Sequence, residues 1–307
     1  MFRHGDRAPS ISFPNDYYFD EKFWPMGYGQ LTNKGKARLY DLGKWLKERY
    51  KNFLHQNYSP KDVYIRSTNA DRCLMSAASV LAGLYPPKSS QIWNPNLQWQ
   101  PIPIHTVPLK YDEVLGMRKK CKNYMEFLDD IRVLLTVLES YSSYNQSFLP
   151  PWAKYLDKNK LIYLAAVAHE RYTLNLELLT GPFWFNFFDY FDNAIDEVGG
   201  VPKFLMLSAH DTTIVSLVNG MGVYDFLPPV FGATLIWELK KNDDGMYVKV
   251  LYKRDGPKVD SLIVKGCEID CNYEKFREIM EPVTVKSSQW EKECGSTGTI
   301  IVERPYF

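Results

Sequence analysis

Met1-Phe2-Arg3-His4-Gly5-Asp6-Arg7-Ala8-Pro9 opens the chain. Within five positions two arginines flank a histidine, a glycine after the histidine lets the backbone turn sharply, and a proline closes the run. Guanidinium forks match the oxygens of phosphate or carboxylate in bidentate geometry, and two such cations this close repel unless an anion lies between them. The stretch therefore asks for an anion, and a phosphoryl group is the most economical one. A turn of this kind is expected to follow a buried strand, most of which is missing from the sequence, and no secretory leader is recognised ahead of it. Taken alone, the same residues would suit a solvated basic loop. The rest of the chain decides.

Two further segments share the pattern of a strand that ends in chemistry. Val63-Tyr64-Ile65 is a short β-branched and aromatic run with Arg66 and Ser67 at its C-terminal end. Thr68 to Asp71 has the form of a capping box, opening a helix expected to stop near Gly83 ahead of Pro86-Pro87. Lys203 to Ser208 is a continuous apolar run, as in a strand covered on both faces, and it delivers His210-Asp211, with Thr212 placed to cap the next helix. In open α/β sheets ligands sit outside the carboxyl ends of the strands, so Arg3-His4, Arg66 and His210-Asp211 are expected to converge on one rim.

Between these segments the stripe Leu39, Leu42, Trp45, Leu46, Tyr50 and Phe53 predicts a helix after Leu31 to Gly35. The Pro-, Asn- and Trp-rich stretch from Pro86 to about Pro108 reads as a structured loop. Helical patterns fill roughly 122–141, 153–179 and 184–198, broken at Pro150-Pro151 and Gly181-Pro182. With no strand between them, they form a cap. Thr234 to Leu239 and Tyr247 to Tyr252 flank Asn242-Asp243-Asp244-Gly245, a hairpin turn. The fold class is α/β, with a mainly parallel central sheet flanked by helices, in a single domain over 1–307 with a helical cap at about 110–200.

The totals bound the partner. At 307 residues, 45% apolar and 24% charged, the chain supports a large core. Lys+Arg of 37 against Asp+Glu of 36 leaves a net charge of +1, so no global field argues for nucleic acid or an anionic membrane. No apolar run reaches the roughly 18 residues of a membrane span. Five cysteines (Cys73, Cys121, Cys267, Cys271 and Cys294) leave one over if the others bridge, and Cys267 and Cys271 are spaced to close a small loop. No His or second Cys pair beside them favours a metal. Cys73, on an apolar helix, reads as a buried thiol. Sequons at Asn57 and Asn145 permit glycosylation, and with the cysteines they tilt toward a secreted or lysosomal setting.

Arg3-His4-Gly5-Asp6-Arg7-Ala8-Pro9, Ile65-Arg66-Ser67-Thr68 with Asp71-Arg72 and Leu74-Met75-Ser76-Ala77, and Ser208-Ala209-His210-Asp211-Thr212-Thr213 closely resemble the histidine acid phosphatases of the prostatic and lysosomal type. The likeness extends through Trp99 to Pro103 and Thr106 to Pro108, resumes at the C-terminal cysteines, and is weak from about 122 to 200. The resemblance implies a phosphoglycerate-mutase-like fold and hydrolysis of small phosphomonoesters through a phosphohistidine on His4, with no cofactor. By the same resemblance Asp211 donates a proton to the leaving alcohol, and Arg3, Arg7, Arg66 and His210 hold the phosphoryl oxygens. It further implies a homodimer and the bridges Cys121 with Cys294 and Cys267 with Cys271, while the family's third bridge has no cysteines here.

The chemistry of the residues agrees with that implication. Phosphoryl transfer needs mainly positioning and charge neutralisation, which guanidiniums supply without a metal. Surrounding arginines disfavour imidazolium at His4, and an unperturbed aspartate carries a proton only near or below pH ~4, so turnover is expected in acid. The region from Cys121 to Pro150 is much shorter than in the family, which removes part of the cap and alters substrate range. Two alternatives stand beside this reading: a small-ligand-binding protein on the same scaffold with little or no turnover, and a phosphoglycerate-mutase-like transferase, which the Ser-Ala-His-Asp motif and the cysteines fit poorly.

Overall fold

Strand-forming segments and helices alternate along the chain as the periodicities require, and a computed structural model describes residues 1–12, 15–116, 139 and 176–294. The first strand, β1, is only Phe2–Arg3. It is followed by α1 (Asn33–Arg49), β2 (Val63–Thr68), α2 (Asp71–Leu84) and β3 (His105–Val107). The second half carries α3 (Leu176–Ile195), β4 (Phe204–Ala209), α4 (Asp211–Gly220), β5 (Thr234–Asn242) and β6 (Gly245–Lys253). It closes with β7 (Asp260–Leu262), β8 (Cys271–Asn272), α5 (Tyr273–Met280) and α6 (Ser287–Cys294).

All the described strands join one sheet in the order β3-β2-β4-β1-β5-β6-β7, with β8 against β6. The β3-β2-β4-β1 half is parallel, and β5 to β8 extend it antiparallel. Register fixes the rim. Arg3 lies opposite Ala209, and Ser67 and Phe2 both lie opposite Ser208, so β1, β2 and β4 end side by side. The residues immediately beyond, His4 and His210, and Thr68 at the end of β2, are thereby neighbours before any side chain is placed.

Apolar layers cover both faces of the sheet. On one face Leu39, Leu42 and Leu46 of α1 and Ala77, Val80, Leu81 and Leu84 of α2 bury against Phe2, Val63, Ile65 and Met206. On the other, Phe183, Trp184, Phe187 and Phe188 of α3 pack with α4 and α5 against Leu207, Ala209, Leu235, Val248 and Val250. Met206 and Leu207 face opposite ways, the period-2 alternation of a central strand. Each fully buried large side chain contributes about 1.5–3 kcal/mol of transfer free energy, so the four aromatics of α3 alone anchor that helix.

Several local expectations give way to tertiary context. Helix α2 starts from Ala70 with no side-chain cap, because β2 runs through Thr68 and the Thr68 hydroxyl is engaged with His210. His210, not Thr212, is the N-cap of α4, which places Asp211 in its first turn. Gly181-Pro182 does not break α3, which runs through both residues because Phe183, Trp184, Phe187 and Phe188 just beyond them are buried in the core. Strand β3, three residues pairing parallel to β2, emerges from the stretch that reads as loop. The hairpin forms as its turn residues dictate: β5 and β6 meet at Asn242 and Gly245, and Gly245 has φ 124°. Cys267 and Cys271 form a disulfide, and Cys73 is a buried thiol.

Most of the cap expected at about 110–200, the Asn145 sequon and Cys121, and with it the Cys121–Cys294 bridge, lie outside the described residues. Asn57 is half-buried in the loop before β2. Among the described residues no helix is long and apolar enough to cross a membrane.

Candidate active site

The opening motif is held as a turn over the end of the sheet. Arg3 N–H donates to Ala233 O at 2.9 Å, His4 N–H to Ala209 O at 3.0 Å, and Gly5 N–H to the Ser76 hydroxyl at 3.1 Å. Gly5 is required by contact rather than by an unusual torsion: a methyl group there would sit 2.7 Å from Gly35 O and 2.5 Å from a Leu39 methyl. Asp6, buried, clamps the turn to α1. Its carboxylate accepts from Arg38 Nε at 2.7 Å, and its carbonyl accepts from the Thr32 N–H and hydroxyl at 2.9 and 3.0 Å. Asp6 therefore builds the turn instead of acting in it.

Two imidazoles meet on this rim. The rings of His4 and His210 lie edge to face with centroids 5.6 Å apart, and both residues are buried. His4 Nδ1 is 2.9 Å from Gly5 O, a carbonyl that only accepts, so Nδ1 carries the proton and Nε2 keeps its lone pair. Burial first, and then the charges of Arg72 and Arg3, hold the His4 imidazole well below its usual range, so it stays neutral in acid. His210 Nε2 is 3.1 Å from the Thr68 hydroxyl and its Nδ1 is 3.4 Å from Arg72 NH2, which fixes the ring between β2 and α2.

Cations surround the pair. Arg3, fully buried, pairs with Asp211 at 3.2 Å and Glu139 at 2.7 Å, donates to Pro229 O at 2.5 Å, and rests over the Phe231 ring at 4.2 Å. Burial alone would lower its basicity, but those two carboxylates outweigh it and hold the guanidinium charged. Arg7, also buried, is lowered to about 10 by desolvation and by Arg72 and Arg3, and it remains a cation in acid. Three guanidiniums and two imidazoles thus share one small volume, a field that demands an anion. Asp211 Oδ1 accepts from the Thr212 N–H at 2.8 Å, which orients the carboxyl at the head of α4.

Arg66, near the end of β2, pairs through one nitrogen with a buried carboxylate. Its guanidinium pairs with Asp112 at 2.5 Å, both side chains essentially fully buried, and Asp112 also accepts from the Leu115 N–H at 3.0 Å. This pair ties β2 to the segment after β3. Arg72, which the sequence reading quoted within a motif but gave no role, is the cation of that segment that reaches His210 and acts on His4. One signal was available: Arg72 stands in the first turn of α2, where the helix dipole disfavours a cation and favours the anion that a cation can bind. Thr68 reads locally as a helix cap, and Asp112, Phe231 and Glu139 carry no local signal, because the partners of all four lie 46 to 228 positions away in sequence. Among the described residues no group of three or more His, Cys, Asp and Glu is arranged to hold a metal ion.

Comparison with known proteins agrees with this geometry. The family model of the histidine phosphatase superfamily (branch 2) matches residues 1–195. Lysosomal acid phosphatase of Xenopus laevis is 34% identical, the match covering 99% of this chain and 79% of that protein. Prostatic acid phosphatase of Bos taurus is 32% identical over 96% of this chain and 86% of that protein. Among solved structures, the apo form of Hafnia alvei phytase superposes with a TM-score of 0.68 at 14% identity, covering 95% of this chain and 96% of that one, a likeness of fold. The motifs that begin each half of the rim and the extent of these matches make the chain a member of branch 2 of the histidine phosphatase superfamily.

Proposed function

We propose that the protein is an acid phosphatase that hydrolyses small phosphate monoesters through a phosphohistidine on His4. The observation that carries this reading is a neutral, buried imidazole whose proton is parked on Nδ1 by Gly5 O, inside a cluster of Arg3, Arg7, Arg72 and His210. Phosphoryl transfer asks the protein for in-line positioning and charge neutralisation, and this cluster supplies both. In the proposed step His4 Nε2 attacks phosphorus as the ester oxygen leaves with a proton from Asp211. Water then attacks the phosphohistidine while the Asp211 carboxylate takes a proton back, releasing inorganic phosphate and restoring His4. Arg3, Arg7, Arg72 and His210 hold the equatorial oxygens, and Arg66 acts one layer away by holding β2 to Asp112.

Acid favours this cycle because Asp211 must be protonated to act, while the depressed basicity of His4 keeps the nucleophile available. Passage through the secretory route to a lysosomal or extracellular site is supported by the Cys267–Cys271 disulfide and the sequon at Asn57. The test is release of p-nitrophenol from p-nitrophenyl phosphate between pH 4 and 8 by the parent protein, His4→Ala and Asp211→Ala. The reading expects an acid maximum, loss of turnover by about 10³-fold or more in His4→Ala, and a fall of about 10²–10⁴ in Asp211→Ala that is steepest for alkyl phosphates. A parent that releases nothing at any pH, or a His4→Ala variant as fast as the parent, would refute it.

A further inference from the structure

Arg3 is the guanidinium next to the nucleophile in sequence, and both terminal nitrogens of its fork are already engaged, while its buried Nε–H has no hydrogen-bond partner. A guanidinium has four terminal N–H bonds. On NH1, one meets Glu139 Oε1 at 2.7 Å and the other Pro229 O at 2.5 Å. On NH2, one meets Glu139 Oε2 at 3.0 Å, and Asp211 Oδ2 forms an ion pair with the same nitrogen at 3.2 Å. A tetrahedral phosphoryl group that is to take both terminal nitrogens of Arg3 in bidentate geometry must displace the acceptor that bridges them. Pro229 O is a buried backbone carbonyl, and Asp211 is built into the head of α4. Glu139 is the most exposed of the three, at 35% of its side chain against 23% for Asp211, and it takes both arms of the fork in the bidentate geometry that phosphate would adopt.

We infer that the Glu139 carboxylate is a resident competitor for the phosphoryl site, occupying Arg3 when no anion is bound and yielding it when phosphate or a phosphomonoester enters. The inference rests on the phosphatase reading of the rim and adds a device to it: affinity for product and substrate is set below what the cationic cluster alone would give. Product then leaves readily. A group that holds the site for most of the time reduces apparent affinity by the fraction of time the site is open. For a partly exposed, doubly hydrogen-bonded ion pair, that reduction is about two- to fivefold. A supporting role, in which Glu139 merely orients Arg3, makes the opposite prediction, since its loss would weaken the anion site.

Titration of inorganic phosphate by isothermal calorimetry at a single acid pH separates the two, using the parent protein, Glu139→Gln and Glu139→Asp. The amide of Glu139→Gln keeps the shape and removes the charge. Phosphate is expected to bind it about two- to fivefold more tightly than the parent, with Glu139→Asp shifted the same way by less. Glu139→Asp carries the test by itself if Glu139→Gln does not fold. Equal or weaker binding by both variants overturns the inference. Hydrolysis of p-nitrophenyl phosphate by the parent is recorded in parallel. A parent that hydrolyses ester while the variants bind phosphate no more tightly counts against Glu139 alone, whereas absence of both hydrolysis and phosphate binding in every protein counts against the phosphatase reading and the inference together.

Discussion

Replacing Asp112 with asparagine asks what Arg66 does. The Arg66 guanidinium is 1% exposed and the Asp112 carboxylate 0%, with 2.5 Å between them. Asparagine keeps an oxygen for the Leu115 N–H, so the change isolates the charge. Breaking a buried pair by removing one partner leaves an uncompensated buried ion and costs about 3–5 kcal/mol. For a domain of this size each kcal/mol moves the melting temperature by about 2–4 °C, which puts the loss at roughly 6–20 °C. Replacing both partners, Arg66→Met with Asp112→Leu, leaves no orphaned charge and is expected to recover at least half of that loss. The assay is thermal unfolding followed by circular dichroism, paired with p-nitrophenyl phosphate kinetics well below the melting temperature. The structure predicts a large melting shift with kcat/KM within about threefold of the parent. A melting temperature within about 1 °C of the parent, combined with a 10²-fold loss of kcat/KM, would show that Arg66 serves the phosphoryl group and that the assignment is wrong.

Arg72→Gln is the complement: removing one preorganised donor from the phosphoryl site is expected to lower kcat/KM by about 10²–10³ while moving the melting temperature by no more than about 2 °C, and a stability loss without an activity loss would contradict it. His4 predicts a pH signature in stability. Its basicity in the folded state lies below the unfolded value, so below pH ~6.5 the unfolded chain binds a proton that the folded chain refuses, and stability is lost as pH falls. His4→Asn removes this penalty, so its stability relative to the parent should rise by up to about 1.4 kcal/mol per pH unit between pH 6.5 and the folded value; denaturant melts showing a pH-independent difference would refute it.

The order of elements and the meeting of His4 with His210 were legible because they depend on short-range signals: continuous apolar strands, strand-end polar residues, and helices of clear period. The proposed division of labour between Arg66 and Arg72 was not. Both lie in one short stretch of mixed strand and helix, and the partner that Arg66 takes, Asp112, arrives from a loop without periodicity. Thr68 illustrates the same limit. Its spacing from Asp71 satisfies a capping pattern, yet the hydroxyl goes to His210, 142 positions away. Strand β3 has three residues, too few for alternation to register, and it exists because β2 offers it an edge. Pro182 marks a break by every local rule, and buried aromatics on α3 override it. Glu139 is the sharpest case, since nothing local marks it as a partner for Arg3.

Rapid quench of the protein with a phosphoester labelled in its phosphoryl group tests the central claim most directly. The account predicts a covalent phosphoprotein that is stable in alkali and lost in acid, with the label on the peptide that contains His4 and none in His4→Asn. Turnover by the parent with no trapped label, or label on a residue other than His4, would contradict it.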